Sequence, residues 1–268
     1  MIDRGKHNVL GVRIDAVDYD AAVSRVIAAA RERRPYAVSA LAVHGVMTGV
    51  LDRTHRHRLN QFDMLVPDGQ PVRWALNRLH RTKLADRVYG PNLMLRVCER
   101  AAAENLPIFL YGSTSEVLAA LRAKLVEQFP ALIVAGTRPS LFRKMQPGER
   151  EEIAGEIRRS GAALTFVALG CPRQEVYAYE MKNVIGMPLL AVGAAFPFHA
   201  GLLAQAPRFY QDRGLEWLYR LVKEPRRLWR RYVFLNPLYV AMLLGQMLRL
   251  RTLDPDRTSP PRADVCYG

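Results

Sequence analysis

Apolar and polar positions follow two different spacings along this chain. Short apolar runs rich in β-branched residues are typical of strands, and longer segments repeat apolar residues at helical spacing. The strand-like runs cover residues 9–14, 36–43, 108–111, 132–135, 164–169 and 189–192. The helical segments cover residues 20–34, 115–128 and 149–160. This alternation predicts an α/β fold with a Rossmann-like, mostly parallel sheet flanked by helices.

Three predicted strands run directly into glycine and small or polar residues. Their sequences are LYGSTSE at 110–116, ALGCPRQE at 168–175 and AVGAAFPF at 191–198. In an open α/β sheet the carboxyl ends of the strands line the ligand crevice, and glycine there lets the backbone approach a phosphate, although it also occurs in ordinary turns. The residues expected to border a phosphorylated ligand are Gly112, Ser113, Gly170 and Gly193.

Residues 208–251 differ in composition from the rest of the chain. They carry ten Lys or Arg side chains against three acidic ones. Four of the cations share one predicted helix face, namely Arg220, Lys223, Arg227 and Arg230. Pro225 should divide the segment into two helices.

An apolar stretch at 232–248 follows this basic face. Asn236 and Pro237 interrupt it, and it is shorter than the roughly 20 residues that cross a bilayer. A basic amphipathic helix pair fits the headgroup region of an anionic membrane, and a helical hairpin covering the sheet is the alternative. The predicted organisation is an α/β domain at 1–207, a membrane-contacting helical appendage at 208–251 and a disordered tail at 252–268.

The overall composition restricts the partners and the compartment. With 268 residues, half of them apolar, and a net charge of +14, the chain should fold and bind an anionic partner. No RNP, helix-turn-helix or zinc-finger pattern favours nucleic acid, and no GxGxxG fingerprint favours a dinucleotide dehydrogenase. Cys98, Cys171 and Cys266 lack the spacing of a metal site or a disulfide framework. Because the N-terminal residues lack the apolar core of a signal peptide, we expect a cytoplasmic protein.

Asp68 is the first candidate for chemistry. It ends an apolar run in LVPDGQPV, where an Asp-Gly pair is usually only a turn. Two further polar clusters raise its interest: GCPRQE contains Gln174 and Glu175, and RVYGPN contains Arg87 and Asn92. A carboxylate, an amide and an arginine near strand ends together favour an active site.

Several longer motifs occur in a fixed order along the chain. They are VPDG at 66–69, RVYGPNL at 87–93, LYGS at 110–113, ALGCPRQE at 168–175, AVGAAFPFHAG at 191–201 and GLEWLYRLVKEPRRLWRRY at 214–232. Together they resemble the WecG/TagA/CpsF glycosyltransferases from about residue 9 to residue 236. The resemblance implies an inverting transferase of the hexosyltransferase type that needs no essential metal or cofactor.

The same resemblance implies the substrates and the location. The donor would be a UDP-sugar carrying N-acetylmannosamine, its uronic acid, glucuronic acid or a similar sugar. The acceptor would be a polyprenyl-diphosphate-linked saccharide in cell-surface or exopolysaccharide synthesis. We therefore expect a peripheral protein on the inner face of the plasma membrane, with an anionic membrane surface as a partner, no nucleic acid, and a homo-oligomeric state as in the family.

Residue roles follow from the matched motifs. Asp68 corresponds to the general base, which takes the proton of the acceptor hydroxyl as its oxygen attacks the anomeric carbon. Gln174 would orient the sugar or the base, and Arg87 would sit near the donor diphosphate. The resemblance implies that three arginines of the appendage close over the site and stabilise the negative charge that develops on the departing UDP. These are Arg220, Arg227 and Arg230.

The chain departs from the family pattern at several positions. Ala40, Leu41 and Ala42 replace a common Thr-x-Asn, Pro197 replaces the Asp of GAAFDF, and Arg173 replaces a Lys. One hypothesis is an active enzyme whose altered pocket contacts the donor through Ser39, Ser113 or backbone amides. The other is a degenerate member that binds lipid-linked sugar or partner enzymes without turnover. Retention of the acid, amide and arginine motifs favours the active enzyme.

Overall fold

The computed structural model describes residues 1–250 and 252–268, apart from the side chains of Arg208, Arg227, Arg230 and Arg231. The chain begins with an antiparallel hairpin of β1 (Asp3–Val9) and β2 (Val12–Val17). The run at 9–14, predicted as one strand, therefore spans the hairpin turn. Leu10 and Gly11 both have positive φ there, which is the geometry of a tight two-residue hairpin.

A parallel sheet forms the centre of the protein. Within the described residues its strands are β3 (Tyr36–Leu41), β4 (Met64–Pro67), β5 (Ile108–Gly112), β6 (Val134–Arg138), β7 (Leu164–Ala168) and β8 (Pro188–Ala191). They lie in the order β4-β3-β8-β7-β5-β6, and each neighbouring pair is parallel. The α/β fold with a mostly parallel sheet, predicted from the sequence, is confirmed.

Helices cover both faces of this sheet. They are α1 (Tyr19–Arg31), α2 (Val43–Leu51), α3 (Arg53–Asn60), α4 (Gln70–His80), α5 (Gly90–Ala103), α6 (Ser115–Gln128), α7 (Glu149–Arg159), α8 (Arg173–Ile185) and α9 (Ala195–His199). Alternate residues of each strand feed two separate apolar cores, because successive strand side chains point to opposite faces. One core joins the sheet to α1, α5, α6 and α9. The other joins it to the hairpin, α4, α7 and α8.

The segment after residue 207 forms three helices that pack on the sheet domain. They are α10 (Arg208–Asp212), α11 (Glu216–Lys223) and α12 (Pro225–Met247), so the chain does break at Pro225 as expected. One face of α12 contacts the domain through Tyr239, whose hydroxyl donates to the Pro71 carbonyl at 3.1 Å. Among the described helices, none combines the length and the apolar character that a membrane crossing requires.

The opposite face of α11 and α12 carries exposed apolar side chains. These are Leu218, Val222, Trp229, Val233, Phe234, Leu238, Val240 and Leu244. On α12 they recur at helical spacing along the side away from Tyr239. The helices therefore cover part of the domain and also present an apolar surface.

Residues 252–268, for which composition predicts disorder, lie along the sheet domain in the structure. The Asn60 amide donates to the Pro255 carbonyl (2.9 Å), and an Arg56 guanidinium donates to the Arg257 carbonyl (2.7 Å). Further along, the backbone N–H groups of Val265 and Cys266 donate to the Glu180 carboxylate. Polar groups of the domain thus supply the partners that an isolated polar segment lacks.

Candidate active site

Asp68 lies at the carboxyl edge of the sheet, one residue beyond β4. Its backbone N–H donates to the Leu41 carbonyl at the end of β3 (3.1 Å). The Val88 N–H donates to the Pro67 carbonyl (3.0 Å), which brings the RVYGPNL segment to the same edge. Two of the motifs that the sequence singled out therefore meet here.

The partly exposed Asp68 carboxyl faces the N-terminus of α5. Its Oδ1 accepts a hydrogen bond from the Gly90 N–H at 2.6 Å, and the helix dipole favours negative charge there. Burial outweighs this and raises the pKa of Asp68 to about 6, while Arg87, the Gly90 N–H and Arg220 lower it and Glu216 raises it further. A carboxyl group with this pKa is mostly ionised at neutral pH and still basic enough to accept a proton.

This environment predicts the pH dependence of catalysis if Asp68 is the base. Protonation disables the base, so kcat/KM should fall on acidification with a midpoint near the Asp68 pKa of about 6. Arg220→Gln removes a positive charge that lowers this pKa, so it should move the midpoint to higher pH. Arg122→Gln, at an exposed position on α6, is the control and should leave the midpoint in place. A profile that is flat from about pH 5 to about pH 8 would exclude Asp68 as the titrating base.

Arg87 lies beside Asp68 but is paired with the appendage. It is buried, and its guanidinium donates to Glu216 Oε2 on α11 at 2.8 Å and stacks over the Tyr89 ring at 4.3 Å. The Tyr89 hydroxyl donates to Glu216 Oε1 at 3.0 Å. Arg87 is therefore already paired, and it would have to exchange Glu216 for a diphosphate to contact the donor as the sequence predicts.

Gln174 is held by the residue that follows it. Its Nε2 donates to Glu175 Oε1 at 2.9 Å, and the Ser39 hydroxyl donates to the same oxygen at 2.9 Å. Burial raises the pKa of Glu175, and the bonds from Gln174 and Ser39 lower it. Ser39 is fully buried in this network. It therefore does not face the crevice, where a direct contact with the nucleotide sugar would require it. Gln174 Oε1 is buried and has no hydrogen-bond partner within the described chain.

Gly193, at the end of β8, leaves room for this amide. A Cβ at Gly193 would lie 2.9 Å from Gln174 Oε1. Gly193→Ala should therefore displace the amide and lower kcat/KM by about tenfold or more, comparable to losing one polar contact to the transition state. Gly186→Ala is matched, because Gly186 also has positive φ but faces open space. Similar thermal stability and equal activity of the two variants would contradict this role for Gln174.

The other predicted glycine sites lie farther along the sheet edge. Gly112 ends β5 and Ser113 follows it, three strands from β3, and the Ser113 N–H donates to the Ala168 carbonyl at 2.9 Å. Neighbouring strands are about 4.8 Å apart, so this end lies roughly 14 Å from β3. Gly170 has positive φ and open space around it. The structure thus groups Gly193 with Asp68 and Gln174, and puts Gly112 and Ser113 toward the opposite end of the crevice, while the Gly170 carbonyl accepts from the Gln174 N–H at 3.0 Å between them.

Three departures from the family pattern, Ala40, Leu41 and Ala42, lie beside Asp68. Ala40 Cβ is 3.0 Å from an ideal Cβ built on Gly90, and Ala42 Cα is 3.4 Å from one built on Gly69. Pro197 lies in α9, and its partly exposed ring offers no side-chain hydrogen bond. The edge of the site beside β3 is therefore lined by methyl groups and backbone.

One of the three predicted appendage arginines can be placed relative to the site. Arg220 is one turn after Glu216 on α11, and its Cζ is 6.0 Å from the Phe198 ring centroid. The side chains of Arg227 and Arg230, also predicted at the site, lie outside the described residues. Across the part of the chain that the structure describes, no group of three or more His, Cys, Asp or Glu side chains is arranged to hold a metal ion.

The structure is an α/β domain with a parallel sheet, and a carboxylate, an amide and an arginine lie at the carboxyl edge of that sheet. A family model described as the glycosyl transferase WecG/TagA/CpsF family matches residues 7–253. The chain belongs to this family, and it is a glycosyltransferase of cell-surface polymer synthesis. In general terms its substrates are a sugar donor and a lipid-linked acceptor.

Sequence reasoning missed one functional candidate, Glu216. It was counted only as one of three acids within a basic segment. An acid in the otherwise basic EWLYRL motif is the available signal. Its partner Arg87 lies 129 residues earlier in the chain, so the pairing itself has no local pattern.

Proposed function

We propose that this protein is an inverting glycosyltransferase that moves a hexose-type sugar from a UDP-sugar to a polyprenyl-diphosphate-linked saccharide. The observation that carries the proposal is Asp68, a carboxyl group with its pKa raised to about 6 at the carboxyl edge of a parallel sheet in a glycosyltransferase chain. The proposed sugar is N-acetylmannosamine, its uronic acid, glucuronic acid or a similar sugar.

In the proposed reaction the acceptor hydroxyl oxygen attacks the anomeric carbon of the donor. Asp68 takes the hydroxyl proton as the new carbon–oxygen bond forms, and the bond from the anomeric carbon to the UDP oxygen breaks on the opposite face. Attack from the face opposite the leaving group inverts the anomeric configuration. The free Gln174 Oε1 accepts a hydrogen bond from a hydroxyl of the sugar and so orients it.

The departing UDP gains negative charge, which must be balanced. We propose that Arg220 and backbone N–H groups at the strand ends supply this balance without an essential metal. Arg227 and Arg230 are proposed for the same task from their positions in the sequence. Gly112, Ser113 and Gly170 are proposed to border the nucleotide end of the donor.

We further propose that α11 and α12 hold the enzyme on the inner face of the plasma membrane, where a polyprenyl-linked acceptor resides. The exposed apolar face of these helices, beside a basic segment, supports this location. The same apolar face also suits contacts between copies in a homo-oligomer.

The first test is UDP release by the purified protein with a panel of UDP-sugars and a short-chain polyprenyl-diphosphate-sugar. Acceptor-dependent release from one donor is expected and identifies the sugar. Release that does not depend on the acceptor, or its absence with every donor, would contradict the proposed transfer.

A binding protein without turnover is the second candidate, favoured by the methyl groups of Ala40 and Ala42 beside Asp68. It predicts that the lipid-linked acceptor binds while no donor is consumed. The same assay combined with an acceptor-binding measurement separates the two candidates.

A further inference from the structure

The contact between α11 and the sheet domain depends on polar groups. All residues of α11 are described, and none of its side chains is fully buried. A helix with so little apolar burial opens easily unless specific contacts hold it. Its first residue, Glu216, makes specific contacts of this kind with the sheet domain.

Glu216 has partners for both of its carboxylate oxygens. Oε2 accepts from Arg87 at 2.8 Å, and Oε1 accepts from the Tyr89 hydroxyl at 3.0 Å. The Arg87 guanidinium in turn stacks on the Tyr89 ring, so the three side chains form one closed group, here called the Glu216 cluster. Arg87 and Tyr89 are buried, and the Glu216 side chain is 14% exposed. Charge-assisted hydrogen bonds in such surroundings are stronger than neutral ones.

The Glu216 cluster also fixes the direction of Arg220. Residues four apart share one face of a helix, so Arg220 lies on the side of α11 that Glu216 anchors. The proximity of Arg220 to Phe198, and its effect on the pKa of Asp68, agree with this direction. Arg220 is partly exposed and has no carboxylate partner among the described ion pairs, whereas Arg87 already has one.

We propose that Glu216 is a positioning residue: by binding Arg87 and Tyr89 it docks α11 on the sheet domain and so aims Arg220 at the leaving diphosphate. Arg87 then acts through Glu216 and not by direct contact with the donor. The docking stands on geometry alone, whereas the role of Arg220 rests on the proposed function.

Hydrogen exchange of the α11 amides tests the docking without any substrate. Glu216→Ala should speed exchange of residues 216–223 by about tenfold or more, although Ala is the better helix former. Arg87→Gln should do the same without changing α11 itself. Asp212→Ala removes an exposed acid of α10 and is the control, expected to stay within about twofold of the wild type. Exchange in β3 and β7 reports global unfolding and should remain slow in all variants. Wild-type exchange of α11 in the Glu216→Ala variant would overturn the proposal.

Turnover measurements test whether Glu216 positions Arg220. If Glu216 acts through Arg220, the double variant Glu216→Ala with Arg220→Gln should be no slower than Arg220→Gln alone. Multiplying losses would overturn the proposal, as would an Arg87→Gln loss more than about tenfold greater than that of Glu216→Ala. If the wild type itself transfers no sugar, the proposed function fails while the exchange measurement still decides the docking.

Discussion

Asp68→Asn is expected to fold like the wild type and to lose sugar transfer by about 10²–10⁴-fold. Asn keeps the shape of the side chain and an Oδ1 that can accept from the Gly90 N–H, but it cannot take a proton. The measurement is kcat for acceptor-dependent UDP release. Asp20→Asn, at an exposed position in the first turn of α1, serves as the control and should retain full activity. Near-normal turnover in Asp68→Asn would remove Asp68 from the reaction.

Stability provides a second measurement on the same variant. Because burial raises the pKa of Asp68 to about 6, the folded state binds this proton more tightly than the unfolded chain does. The stability gained from protonation is present at acid pH and is lost as pH rises through about 6. At neutral pH the wild type therefore carries a partly buried negative charge, which lowers its stability and which Asn lacks. The thermal midpoint of Asp68→Asn at pH 7 should equal or exceed that of the wild type, and a clear decrease would show that Asn disturbs the fold.

Replacing Trp229 and Phe234 together by Ser is expected to lower binding to anionic liposomes by about 100-fold or more. Both side chains are exposed on the apolar face of α12, at 45% and 63%. Burial of one large apolar side chain contributes about 1.5–3 kcal/mol, and each 1.4 kcal/mol is a factor of ten in binding. Co-sedimentation with vesicles at several salt concentrations provides the measurement.

The matched control replaces Phe142 and Ile133 by Ser, two exposed apolar residues at 61% and 47% that lie outside α11 and α12. This variant should bind vesicles like the wild type. Equal binding by both double variants would mean that α12 does not enter the membrane. Binding by the wild type that disappears completely at high salt would assign the attraction to charge alone, because burial of apolar surface is not screened by salt.

Local patterns were enough to predict the central parts of the fold and which motifs lie at the edge of its sheet. The strand-to-glycine transitions placed Gly193 and the motif of Gln174 at the carboxyl edge of a parallel sheet, where the structure has them. The break at Pro225 followed from the missing backbone donor of proline. These features depend on neighbouring residues, and the sequence displays them directly.

Features that depend on distant partners were not predictable in the same way. Ser39 is a polar residue near the end of a strand, as a site residue would be. It nevertheless shares a strand face with Ala37 and Leu41 and points into the domain toward Glu175. Glu216 meets Arg87 only because α11 folds back onto the sheet domain. The backbone of residues 252–268 finds its partners on Arg56, Asn60 and Glu180. Composition and periodicity describe the preference of a segment on its own. These three cases are decided by contacts with residues that are distant in the sequence.

The placement of residues 254–268 affects how the enzyme can be shortened. The family match ends at residue 253, yet buried polar groups of the domain bond to the residues after it. A version cut at that boundary would keep Asp68, Gln174 and Arg220 but would leave the Asn60 amide and the Glu180 carboxylate short of partners. Water would then replace the lost partners, and each hydrogen bond to the tail contributes about 0.5–1.5 kcal/mol net. We therefore expect the smallest well-folded enzyme to extend beyond residue 253, where the family match ends, because its last residues stabilise the sheet domain.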